Sequence, residues 1–205
     1  SHLNKLDAAL HDLNEALKIA PRDPIALAER GDVFSKMGQN EQALADLTAS
    51  LTLKSDDLYG VEVRGQVYTR MGKFDAAFKE YDKIAHLRPN DPVALNNRCW
   101  ARAIWNVDVA LALEDCNKSL SLRPNNSFAL GSRSFANFRL ARFQAAVDDS
   151  TASLAIDPQS PDALFIRGLA KKQLGDISGE ADVKAALAID PTIAKQYQSF
   201  GIATP

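Results

Sequence analysis

Along most of this chain small or apolar residues recur every three or four positions, the spacing that gathers them on one side of an α-helix. Ala43, Leu44, Leu47 and Leu51 form one such stripe, and Ala145, Ala146, Ser150 and Leu154 form another. Between the stripes stand regular marks, Pro21, Ser55, Pro89, Pro124, Pro158 and Pro191, at steps of 34, 34, 35, 34 and 33 residues. Four marks sit in matching phrases: Leu87-Arg88-Pro89, Leu122-Arg123-Pro124, Ile156-Asp157-Pro158 and Ile189-Asp190-Pro191. Proline cannot continue a helix interior, so each phrase ends one helix and resets the chain.

Each interval has room for two helices. The pattern predicts first helices over 24–37, 58–71, 92–105, 127–140 and 161–174, each followed by a short turn and a second helix. Gly38, Gly72 and Gly175 fall in three of these turns, where a left-handed residue closes a hairpin at little cost to glycine. Residues 3–20, with Leu6, Ala9, Leu13, Ala16 and Leu17, fit only a second helix, and 192–201 read as a half-solvated capping helix. The expected organisation is one array over 1–205: a half-repeat at 3–20, full repeats at 24–57, 58–91, 92–126, 127–160 and 161–191, and the cap.

Two columns of small residues keep this period. Gly31, Gly65, Cys99, Ser134 and Gly168 mark the first helices; Ala9, Ala43, Ala77, Ala112, Ala146 and Gly179 mark the second. A helix-turn-helix period of about 34 residues with small residues at the hairpin contact closely resembles the tetratricopeptide repeat family. The resemblance covers nearly the whole chain. It implies an all-α fold, a right-handed superhelical α-solenoid, with first helices on the concave face and second helices on the convex one. It also implies a protein that holds a protein or peptide partner in its groove.

An arginine precedes each small residue of the first helices: Arg30, Arg64, Arg98, Arg133 and Arg167. An acid recurs at the same period in the second helices: Asp12, Asp46, Glu80, Asp115, Asp149 and Asp182. Five arginines in register could form an anion-binding stripe. Matched acids at the same period favour a structural ladder instead, each arginine holding an acid through its planar fork of donors.

With the concave face set by the resemblance, the inward columns read Tyr59, Glu62, Gln66 and Thr69, then Asn96, Trp100 and Ala103, then Phe128, Gly131, Phe135 and Phe138, then Asp162, Phe165, Leu169 and Lys172. Gly131 leaves a side-chain gap between aromatic rings, a notch for an apolar anchor. The candidate groove is therefore Tyr59, Glu62, Gln66, Asn96, Trp100, Phe128, Gly131, Phe135, Phe138 and Phe165, since aromatic residues are the usual interface anchors. Trp105 shares a column with Met37, Met71, Leu140 and Leu174 and is expected in the core. One subgroup of the family grips a peptide's terminal carboxylate with inward lysine, arginine and asparagine. Of the relevant columns here only Asn96 matches, so tail clamping is not expected.

Composition narrows the alternatives. The 205 residues carry a formal net charge of −2, and the isoelectric point is near 5.9, unlike the basic surface of a nucleic-acid binder. No apolar run reaches the ~18 residues that would span a bilayer. Ser1-His2-Leu3 shows none of the charged start, apolar stretch and cleavage site of a signal peptide, so a soluble protein, cytoplasmic or periplasmic, is expected. Scattered His2, His11 and His86 and the lone pair Cys99 and Cys116 fit no metal motif, and no glycine-rich phosphate loop or Ser/His/Asp pattern occurs. Neither a catalytic residue nor a metal or cofactor is expected. The cysteines face one hairpin interior. They read as buried thiols, with a hairpin disulfide as the alternative in an oxidising compartment. Two further roles stay open: a docking or regulatory part of a larger enzyme, and a self-associating module pairing through the N-terminal half-repeat.

Overall fold

The computed structural model describes residues 2–203, and side chains from Asn4 onward. The reading of Ser1-His2-Leu3 therefore lies outside the described side chains. Among the described residues every regular element is an α-helix: α1 (His2–Ile19), α2 (Pro24–Lys36), α3 (Asn40–Leu53), α4 (Leu58–Arg70), α5 (Phe74–Leu87), α6 (Pro92–Trp105), α7 (Val109–Leu122), α8 (Ser127–Arg139), α9 (Phe143–Ile156), α10 (Pro161–Gln173), α11 (Gly179–Ile189) and α12 (Ile193–Ser199). The fold is all-α, of the helical-repeat solenoid class, and the first helices begin where the proline marks predict.

Each first helix is started by a side chain that accepts from its otherwise unpaired N-terminal N–H groups. Asp23, Asp57, Asp91, Asn126 and Ser160 cap α2, α4, α6, α8 and α10 in turn. The chain folds into two compact units, Ser1–Ile84 and Ala85–Pro205, which divide within α5.

In the unit Ser1–Ile84, α2 packs along α3, and α3 along α4. Ala43, Leu47, Val63 and Val67 form a core there, flanked by Phe34, Leu44 and Met71. The half-repeat helix α1 adds Leu17 to a second cluster with Ala26 and Leu27.

In the unit Ala85–Pro205, α6–α7, α8–α9 and α10–α11 are hairpins, and first helices also touch one another, α6 to α8 and α8 to α10. The tightest contact crosses α10–α11. A Cβ at Gly168 would lie 2.7 Å from the carbonyl oxygen of Gly179, and one at Gly179 would lie 2.4 Å from that of Gly168, so neither position admits a side chain. Within each hairpin a buried serine ties the second helix to the start of the first: Ser119 Oγ donates to the Pro92 carbonyl at 2.7 Å and Ser153 Oγ to that of Ser127 at 2.9 Å. Ser50 does the same to Pro24 in the first unit.

Where glycine closes a turn it takes positive φ, as at Gly38, Gly72 and Gly175. The other two turns use Asn106 (φ 59°) with Asp108 (φ 45°), and Ala141 (φ 55°). The former lies in the 35-residue interval between Pro89 and Pro124.

Two expectations are corrected. Cys99 and Cys116 are not thiols but a disulfide across the α6–α7 hairpin, their Cα atoms 5.6 Å apart. The small-residue column brings the helices close enough for the bond. Trp105 is not core: it keeps 37% of its surface, and Leu174 in the same column keeps 50%. Trp105 is the last residue of α6, where the chain passes into the turn, whereas Met71 in the same column still packs against a core cluster.

Candidate functional site

The site is built from α6, α8, α10 and the C-terminal helix. Helix α12 buries Ile193 and Tyr197, and the segment just after it buries Phe200 and Ile202. Tyr197 and Phe200 lie on the rings of the inward columns. Tyr197 meets Phe135 edge-on at 5.3 Å and Phe165 at 5.1 Å, while Phe200 meets Trp100 edge-on at 5.8 Å. Trp100 and Phe135 are themselves in contact at 5.4 Å. Such offset and edge-to-face pairs add to the burial of large apolar rings.

Arg139 latches this end. Its guanidinium stacks over Phe135 at 5.0 Å, donates to the Phe200 carbonyl, and donates to the Ala103 carbonyl at 3.0 Å. Burial lowers its pKa from the usual arginine value.

Phe135 and Phe165 are thereby fully buried, with nothing to offer a partner while α12 is seated. The rest of the stripe stays open. A cavity of about 270 Å³ runs beside Tyr197, lined by Asn96 and Trp100 of α6, Phe128 and Gly131 of α8, and Asp162 of α10, with Asp157 at the end of α9. Phe128 is 77% exposed at its rim. A Cβ at Gly131 would meet nothing within 4 Å, so the gap expected there is real space. Phe138 stands apart, edge-on to Phe143 at 5.6 Å.

The polar groups of the cavity are unevenly satisfied. Tyr197 donates its hydroxyl to Asp162 Oδ1 at 2.9 Å. Burial raises the Asp162 pKa above the ordinary carboxylate value; the Tyr197 hydrogen bond opposes this, and the nearby charge of Asp190 adds to the rise. Asn96 Oδ1 is buried and accepts no hydrogen bond.

The remaining candidates lie in the unit Ser1–Ile84. Tyr59 is half-exposed and donates to Asp32 Oδ2 at 2.7 Å; burial and that carboxylate push its phenol pKa up. Glu62 is half-buried and Gln66 exposed. Tyr59 lines a shallow pocket with Ile25, Ala28, Glu29 and Asp57.

Each arginine of the ladder meets its acid on the second helix of its own hairpin. The closest approaches are Arg30–Asp46 2.6 Å, Arg64–Glu80 2.8 Å, Arg98–Asp115 2.6 Å, Arg133–Asp149 2.6 Å and Arg167–Asp182 2.6 Å. Arg30 and Arg133 also reach back to the preceding second helix, at Asn14 and Asn117. Asp115 holds a second cation, Arg102 at 2.5 Å, and Asp182 holds Lys171 at 2.9 Å. All five acids are buried. Among the described residues no three or more His, Cys, Asp or Glu side chains gather as a metal site, and no helix is long and apolar enough to cross a membrane.

The role of α12 as cover for the rings was missed in the sequence. The signal available was Ile193, Tyr197 and Phe200 on one face of a segment otherwise polar.

Comparison with known proteins places this geometry. A family model for the tetratricopeptide repeat matches residues 29–92. A tetratricopeptide repeat protein from Parabacteroides merdae superposes with a TM-score of 0.79 at 18% identity, over 98% of this chain and 79% of that one. YrrB, described as a TPR protein with an unusual peptide-binding site, gives 0.62 at 17% identity, over 93% and 98%. The Cut9–Hcn1 structure of APC/C gives 0.75 at 17% identity, over 99% of this chain and 40% of the other.

Proposed function

We propose that this chain, which matches the tetratricopeptide repeat over residues 29–92 and shares the fold of a solved tetratricopeptide repeat protein, works without catalysis, as a scaffold that holds a peptide segment of a partner protein in the cavity beside Tyr197. The observation that carries this reading is the open space over Gly131, flanked by the exposed ring of Phe128 and by Trp100. A large exposed aromatic at the mouth of a cavity is the usual anchor of an interface rather than a packing residue. A glycine within a helix costs stability relative to alanine, so its presence where nothing would obstruct a side chain fits a position kept clear for a ligand.

The non-catalytic part of the reading rests on the cavity's chemistry. Its polar groups are amides, hydroxyls and two carboxylates, without the paired nucleophile and base that acyl or phosphoryl transfer would need. The arginine ladder stays outside the binding surface in this proposal, because its donors are committed to buried acids. YrrB is described as having a peptide-binding site on a similar fold, which agrees with this assignment for the present chain. The test is to select binders from a random peptide library with the full chain, and to measure each against the Gly131→Leu variant, which fills the space. Binders that lose affinity on that substitution support the scaffold reading; binders indifferent to it contradict it.

A further inference from the structure

The lining of this cavity has a one-sided charge. It carries two carboxylates, Asp157 and Asp162, and no lysine, arginine or histidine. No cation contributes to the environment of Asp162 either; its charged neighbour is Asp190, another carboxylate. Around these acids stand the rings of Trp100, Phe128 and Tyr197. Aromatic faces are electron-rich and attract a cation held over them, most strongly where water is partly excluded. Beside them Asn96 Oδ1 is buried without a donor. A buried acceptor left unpaired carries a desolvation cost that an incoming N–H group would relieve.

We infer that the cavity takes the basic side chain, lysine or arginine, of the partner's peptide segment. This rests on the scaffold reading above and specifies its ligand. The aliphatic stem of such a side chain fits over Gly131 and against Phe128, where the space is apolar and open. Its charged end then meets the Asp162 and Asp157 carboxylates, with an N–H left for Asn96 Oδ1. A purely apolar anchor would cover the carboxylates and leave that acceptor unpaired, which is why the basic residue is preferred.

The experiment is a titration of the intact chain, followed by the NMR signals of the Trp100 indole and the Gly131 amide. The probes are N-acetyl-lysine N-methylamide, its arginine counterpart, and the neutral N-acetyl-norleucine N-methylamide. Both cationic probes should shift the two signals at millimolar concentration, with norleucine at least about fivefold weaker. Asp162→Asn, which retains an oxygen for the Tyr197 hydroxyl, should weaken the cationic probes about tenfold and leave norleucine unchanged; Phe128→Ala should weaken all three. A thermal melt of each variant establishes that it is folded. Norleucine binding as tightly as lysine overturns the inference, as does the absence of any shift, or cationic binding that Asp162→Asn does not weaken. Failure here is separable from failure of the scaffold reading. Library binders without lysine or arginine that are lost in Gly131→Leu would keep the scaffold and remove the basic anchor.

Discussion

Asp162 and Asp182, on α10 and α11, are pushed in opposite directions. Burial raises both, but at Asp182 hydrogen bonds and charge from Arg167 and Lys171 outweigh it and hold the carboxyl below its ordinary value. At Asp162 burial prevails. The linkage follows from these directions. The stabilisation at Asp182 is present above its unfolded pKa and is lost as pH falls through the lowered folded value. At Asp162 the folded state holds the proton more tightly, so its contribution is present below the unfolded pKa and lost as pH rises through the raised folded value. Asp162→Asn should therefore raise Tm at pH 7, by an amount that shrinks as pH approaches 4; melts across that range check it, and a gap that widens on acidification contradicts it. The ladder allows a second prediction at this scale. Asp115 keeps Arg102 when Arg98 is removed, whereas the pairing cation of Asp149 is Arg133. Denaturant unfolding should show Arg133→Ala costing about 2 kcal/mol, discounted for partial exposure, with Arg98→Ala costing less. Equal losses would contradict this account of the ladder.

Among the elements, those written in local spacing were legible in the sequence. A proline mark, an apolar stripe and a turn glycine each act over a few residues, so the starts of α2, α4, α6, α8 and α10 could be placed. The Arg–acid columns were legible for the same reason, their period matching the hairpin. Helix α12 was not. At seven residues it shows too few turns for a period to declare what its buried side meets, and the contact of Phe200, just after it, reaches back as far as Trp100 on α6. The outcome at Cys99 and Cys116 depended on a Cα separation that spacing alone does not supply. The turn at Ala141 places alanine in the left-handed conformation that glycine takes at Gly38, Gly72 and Gly175. Ala141→Gly should remove that strain and stabilise the chain by ~1 kcal/mol. Chemical denaturation measures it, and a loss of stability would show that the turn is not strained.

At the scale of the whole molecule, the stripe that helical spacing predicts is divided by the fold. Phe128, Gly131, Phe135 and Phe138 share one face by helical spacing, yet the structure separates them. Gly131 and Phe128 border open space, Phe135 lies under Tyr197, and Phe138 packs on Phe143. No periodicity could show this, because the division is made by a distant segment folding back. The central claim is that the space over Gly131 is kept for a partner. Leucine there would add helix propensity worth ~0.8 kcal/mol and fill a void, so the substitution should stabilise the fold while blocking the ligand. The most direct test pairs Tm with peptide Kd for the parent chain and Gly131→Leu. The account predicts a higher Tm together with at least about a tenfold weaker Kd; unchanged peptide affinity in the stabilised variant would contradict it.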